Sequence, residues 1–200
     1  MNAVLPCLLL VACLPLRGLA AEPTASSASA PKTAPRAERL TLYISGVECP
    51  SCVYSVQYNV SQTQGVLEVV SGQNIDNYAN VTFDPKRLSV HQLAQAVLDS
   101  PPLHGMPYTA SLRLKIPAYA KAESRKKIDA LFAQWNRQVK VDAIDEAKGE
   151  LELRFEPLTG GNGKPGPAGW SLDLLRLRLA APPPQGLGFS YLVDFQKDET

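Results

Sequence analysis

Residues 39–85 align without a gap on residues 111–157, and this internal repeat constrains the fold more than any other feature of the chain. Leu40, Leu42 and Ile44 fall on Leu112, Leu114 and Ile116; Val56 and Val60 fall on Ile128 and Phe132; Leu67 and Val69 fall on Val139 and Val141. The run Ala79-Asn80-Val81-Thr82-Phe83-Asp84-Pro85 meets Leu151-Glu152-Leu153-Arg154-Phe155-Glu156-Pro157. Few paired residues are identical. What repeats is the spacing: apolar residues at period two, then at helical spacing, then two more alternating runs. Residues 98–105 align in turn on 179–186, once an insertion is allowed in 159–169, whose Gly, Asn and Pro content marks a loop.

Each copy therefore reads strand, helix, strand, strand, helix, strand. This is the ferredoxin-like βαββαβ arrangement of the α+β class, an antiparallel sheet with both helices on one face. The expected architecture is two such sandwiches in tandem, over 38–110 and 111–200. The last strand of the first copy (about 108–114) overlaps the first strand of the second (about 112–116). One long or bent strand must then serve both sheets, which couples the two domains rigidly.

The apolar run over residues 4–16 is too short to anchor a helix across a bilayer, and Gly18-Leu19-Ala20 supplies small residues for cleavage. Residues 1–20 therefore read as an export signal, although Met1-Asn2-Ala3 lacks the usual basic residue. Leu10-Val11-Ala12-Cys13 also resembles a bacterial lipobox, which would make Cys13 a lipidated first residue and the one link to a membrane. Either route leads out of the cytoplasm, with the periplasm the expected destination. Residues 21–37, rich in Ala, Ser and Pro and without periodicity, read as a flexible tether. The formal net charge of +1 argues against a nucleic-acid partner. The chain carries no phosphate loop, nucleophile elbow or zinc-protease motif.

With Cys7 and Cys13 in the signal, Cys49 and Cys52 are left for the mature protein. They lie in Gly46-Val47-Glu48-Cys49-Pro50-Ser51-Cys52, after the strand pattern of 40–44 and before the helical spacing of Val53, Val56 and Val60. Two sulfurs are thus presented where a loop opens a helix. Such a pair suits a soft metal ion or a disulfide; so small a loop would restrict the unfolded chain little, which favours chemistry over stapling. The helix N-terminus lowers thiol pKa values, and Pro50 fits the first helical turn. Two thiolates suit one Cu(I) or Hg(II) ion, whereas zinc generally wants four ligands.

Residues 39 to about 112 resemble the heavy-metal-associated domain of copper chaperones, copper-transporting ATPases and the mercuric-ion-binding periplasmic protein. The matching pieces are Leu42-Tyr43-Ile44-Ser45-Gly46, Cys49-Pro50-Ser51-Cys52, Gly65-Val66, Val81-Thr82-Phe83-Asp84-Pro85 and Gly105-Met106-Pro107-Tyr108. The resemblance implies that Cys49 and Cys52 are the metal pair, and it places Tyr108 near the metal loop, where it shields the ion or packs in the core. Val47 and Glu48 depart from the family's usual Gly-Met followed by Thr or His. Glu48 should raise the thiol pKa values. The second copy keeps the pattern without the chemistry, with Lys121 and Ser124 in the cysteine positions and Ala118 in that of Gly46.

The expected function is an exported carrier, chaperone or scavenger of one Cu(I) or Hg(II) ion. No organic cofactor and no enzymatic activity are expected, and a protein donor or acceptor is expected to exchange the ion thiol by thiol. The rival readings are a thiol–disulfide oxidoreductase, for which Cys-Pro-Ser-Cys is suggestive, and an envelope adaptor with vestigial cysteines. His104 and Met106, in the loop before the last strand, read either as a third ligand or as turn residues facing water. His91 reads as surface and Trp135 as core. Lys121, Arg125, Lys126 and Lys127 read as a solvated helix face or a docking face for an acidic partner.

Overall fold

The alternation Leu40, Leu42, Ile44 builds the first strand, β1 (Glu38–Ser45), with those three side chains buried against helices. The computed structural model describes residues 37–72, 77–158 and 169–193. The expected export signal over 1–20, the tether up to residue 36 and nearly all of the expected loop over 159–169 lie outside them. After β1 follow α1 (Pro50–Ser61), β2 (Val66–Ser71), β3 (Tyr78–Phe83), α2 (Val90–Leu98) and β4 (Thr109–Lys115). A 3-10 turn (Pro117–Ala120) then leads to α3 (Ala122–Ala133), β5 (Val139–Asp145) and β6 (Glu150–Phe155). A short α4 (Leu172–Leu175) widens directly into a π-helical turn (Arg176–Ala180), and β7 (Leu192–Val193) completes the described elements.

Both helices of the first half start where the sequence provides a cap. In α1, Cys49 is the N-cap, Pro50 is preset for the first turn, and Cys52, Val56 and Val60 form the buried stripe at four-residue spacing. Each buried valine contributes about 1.5–3 kcal/mol by leaving water. In α2, Ser89 and Gln92 make a reciprocal capping box: the Ser89 hydroxyl accepts from the Gln92 backbone N–H at 3.1 Å, and the Gln92 side-chain Oε1 accepts from the Ser89 backbone N–H at 2.9 Å.

The strands join in one antiparallel sheet of order β2-β3-β1-β4-β6-β5, with β7 also on β4. One edge of β4 is shared end to end. Thr109, Ala110 and Ser111 pair with Ser45, Ile44 and Tyr43 of β1, while Leu114 and Lys115 pair with Val193 and Leu192 of β7. The other edge pairs with β6 from Ser111 to Lys115. The first half thus has the order β2-β3-β1-β4 and the second β5-β6-β4-β7. This is one ferredoxin-like order used twice, with β4 closing the first unit and opening the second. The expected division between 38–110 and 111–200 passes through this shared strand.

The core is shared as well. Trp170 is fully buried and meets Trp135 and Phe155 edge-on, with ring centroids 6.2 and 6.0 Å away. His91, read from the sequence as a surface residue, is instead 1% exposed on α2. Its Nε2 lies 2.6 Å from the Glu156 carbonyl and its Nδ1 accepts the Trp170 N–H at 3.1 Å. The imidazole is therefore the neutral tautomer with its proton on Nε2, and burial pushes its pKa down. Gln95 accepts the Leu158 N–H at 2.7 Å, and the Arg176 guanidinium bonds Glu38 at 2.8 Å. Helix α2 is consequently held on both sides, by its own sheet and by the end of β6.

Candidate metal centre

The two cysteines share the first turn of α1, and the backbone there sets their geometry. Cys49 has extended angles as the N-cap, and its Sγ accepts the Cys52 N–H at 3.1 Å. A sulfur at this position takes the role that Ser or Asp takes in other helices, satisfying one of the orphaned N–H groups of the first turn. Cys49 is half-buried and Cys52 fully buried; both are free thiols. Val47 is tucked under the loop beside Ile44, Val53 and Val56, around a void of about 10 Å³. The smaller residue has thus been closed over.

A second loop, 99–108, faces the first and is pinned at several points. Tyr108 is buried, and its hydroxyl accepts the Leu103 N–H at 3.2 Å. The Pro101 carbonyl accepts the Ser55 hydroxyl of α1 at 3.0 Å. Gly46 has φ +87, and a Cβ there would stand 2.9 Å from the Pro107 carbonyl oxygen. Only glycine allows both the turn and this approach. The result brings His104 over the cysteines, with Nε2 3.3 Å from Cys49 Sγ. Cys49 Sγ, Cys52 Sγ and a His104 ring nitrogen lie within 4.8 Å of one another, the one such convergence of His, Cys, Asp and Glu groups among the described residues.

The two thiols titrate as a pair, in opposite directions. Cys49 is pushed up by its hydrogen bond with Cys52 and by burial, against the opposing Cys52 N–H. Burial also pushes Cys52 up. Hydrogen bonds from the Cys49 thiol, the Glu48 N–H and the Tyr108 hydroxyl outweigh it and bring Cys52 down to about 7. The pair thus gives up its first proton near neutral pH and its second above the usual thiol range. Glu48, expected to raise the thiols, acts on Cys52 in the other direction through its backbone N–H, while its side chain is exposed.

Both cysteines stand where the motif put them. Tyr108, weighed as shield or core, is a buried donor beneath the pair. His104 arrives as a neighbour of Cys49, whereas Met106 faces solvent at 64% exposure. In the second half, Lys121 caps α3 without a side-chain bond. The 3-10 turn fills the equivalent place with Tyr119, whose hydroxyl donates to Asp129 at 2.9 Å. Arg125 of the expected basic patch is engaged with the Tyr119 ring and with Glu146; Lys121, Lys126 and Lys127 remain exposed.

No family model matches the chain. Over 61 residues it is 33% identical to an uncharacterized protein of Haemophilus influenzae, a stretch that spans 30% of this chain and 87% of that protein. It is also similar to the oxidized MerP of Ralstonia metallidurans CH34, at 30% identity over 37% of this chain and 96% of that one, with a TM-score of 0.32. The mercury-bound form of MerP, described as the periplasmic protein of the bacterial mercury detoxification system, is 31% identical over 37% of this chain and 96% of that one, with a TM-score of 0.31.

Proposed function

We propose that this chain, which belongs to the same family as the uncharacterized Haemophilus influenzae protein, is an exported carrier or scavenger of a soft metal ion, Cu(I) or Hg(II), held by Cys49 and Cys52. In this reading residues 39 to about 112 are a heavy-metal-associated domain, and the second half is a copy without the metal pair. The observation that carries the reading is the convergence of two free sulfurs at the opening of α1, one of them with its pKa brought down to about 7. A metal displaces thiol protons, so with the Cys52 pKa near neutral pH the first displacement costs little, while the second must remove the proton that Cys49 holds more tightly.

Cys52 is buried and cannot leave the helix turn, whereas Cys49 is at the rim. A partner's thiolate reaches the ion from the Cys49 side and exchanges ligands there, so no free ion is released. The same asymmetry speaks against an oxidoreductase. Thiol attack needs an accessible thiolate, and here the accessible sulfur is the one whose pKa is raised. The export signal and the tether suit a carrier that works outside the cytoplasm.

The test is metal binding by the reduced mature protein under anaerobic conditions, with Cu(I), Hg(II) and Zn(II) in competition, read by native mass spectrometry. Serine is a good N-cap, so Cys49→Ser keeps α1 in place and isolates the loss of sulfur. Both Cys49→Ser and Cys52→Ser should weaken Cu(I) binding by more than the roughly 10–100-fold that loss of an outer-shell partner costs. Unchanged affinity in both variants refutes the site.

A further inference from the structure

We propose that His104 is a third ligand, so that the site is a trigonal Cu(I) centre of two sulfurs and one imidazole nitrogen rather than a linear dithiolate. The proposal rests on the metal-carrier reading and names its cargo. Two cysteines alone would be served by any exposed loop opposite them. Here the opposite loop is built to bring one particular nitrogen in. The Leu103 N–H is tied to the Tyr108 hydroxyl at 3.2 Å, Gly105 turns the chain with φ +79, and His104 between them has its Nε2 3.3 Å from Cys49 Sγ. Tyr108 thus positions the residue beside His104 and hydrogen-bonds Cys52 with the same hydroxyl.

The distances suit three-coordination. With metal–sulfur and metal–nitrogen bonds of about 2.3 and 2.0 Å, trigonal ligand atoms stand about 3.7–4.0 Å apart. The three atoms here all lie within 4.8 Å of one another, with the nitrogen already 3.3 Å from one sulfur. Side-chain adjustments of a fraction of an ångström close the set around one ion. Thiolates select Cu(I), and imidazole is a good ligand for copper, whereas Hg(II) is content with two sulfurs. His104 is exposed and carries no other hydrogen bond among those of the described residues, so it is free to swing. It also becomes the first ligand to leave. When a partner thiolate enters, its sulfur lone pair forms a new S–Cu bond and the Cu–Nε2 bond breaks. The imidazole departs neutral with its own electron pair, and copper stays Cu(I).

The experiment compares the full mature chain with its His104→Ala variant, both reduced and loaded anaerobically with Cu(I) alone or Hg(II) alone. X-ray absorption of the unsubstituted Cu(I) protein should give a shell of two sulfurs and one nitrogen, and the variant a sulfur-only shell. Chelator competition should show Cu(I) affinity weakened in the variant by at least the roughly 10–100-fold that loss of an outer-shell partner costs, with Hg(II) affinity unchanged. A sulfur-only shell in the unsubstituted protein, or equal Cu(I) affinity in the two proteins, overturns the assignment. Cys52→Ser separates the two levels: if it loses Cu(I) while His104→Ala does not, only the third ligand falls, and if it binds normally the carrier reading falls with it.

Discussion

At the scale of single residues the site is a hydrogen-bond relay through Tyr108, whose hydroxyl takes the Leu103 N–H and supports the charge on Cys52. Its own pKa is raised, by burial first and then by Cys52, so it stays protonated and remains a donor at neutral pH. The reduced, metal-free protein should therefore release its first thiol proton with a midpoint near 7, and its second above the usual thiol range. Ultraviolet thiolate absorbance against pH reads both steps. Tyr108→Phe deletes one donor to the Cys52 thiolate, so the first midpoint should rise toward the ordinary thiol value. The lost bond to Leu103 should cost about 0.5–1.5 kcal/mol of stability. A first midpoint that does not move would show that the Cys49 thiol and the backbone N–H groups hold the charge without the phenol.

Among the elements, the two loops that meet at the cysteine pair depend on one glycine. Gly46 follows β1 with φ +87 and lets the Pro107 carbonyl approach to where a Cβ would be 2.9 Å away. Gly46→Ala should cost about 1–3 kcal/mol in backbone strain and push the loop of His104 away from that of Cys49. Cu(I) affinity should fall while far-ultraviolet circular dichroism stays the same; an alanine variant with full affinity and stability would mean that the loops do not need this approach. Gly46, Cys49 and Cys52 are legible in the chain because a turn and a helix start are local events, written in neighbouring residues. The same holds for α1, and for α2 with its Ser89–Gln92 box. For His104 the sequence leaves a third ligand and a turn residue facing water both open, because its approach to Cys49 is set by Gly105 and Tyr108 rather than by its own spacing. The π-helical turn Arg176–Ala180 has no sequence sign of its own beyond an apolar helical pattern. His91 misleads for a related reason: its partners, Glu156 and Trp170, belong to the other half, and the periodicity of α2 carries no record of them.

Across the whole molecule, β4 and His91 make the halves depend on each other. β4 gives hydrogen bonds to β1, β6 and β7, so neither sheet order is complete if the other half opens. His91 bonds α2 to the backbone of 156 and 170, and its burial favours the neutral ring. A histidine whose folded pKa is pushed below its ordinary value contributes stability that is full above that ordinary value. The contribution is lost as pH falls toward the folded pKa. Both tryptophans, Trp135 and Trp170, lie in the second half, while Cys52 is buried in the first, so each half has its own probe. Denaturant titration should give one transition, with tryptophan emission and Cys52 thiol accessibility sharing a midpoint. His91→Ala leaves the Trp170 N–H and Glu156 carbonyl without partners, and should lower both midpoints together by about 2–4 kcal/mol of stability. The decline in stability below pH 6.5, the ordinary value for this ring, should flatten in the variant. Two separate midpoints in the unsubstituted protein, or a loss confined to the tryptophan signal in the variant, would mean that the shared strand does not carry stability from one half to the other.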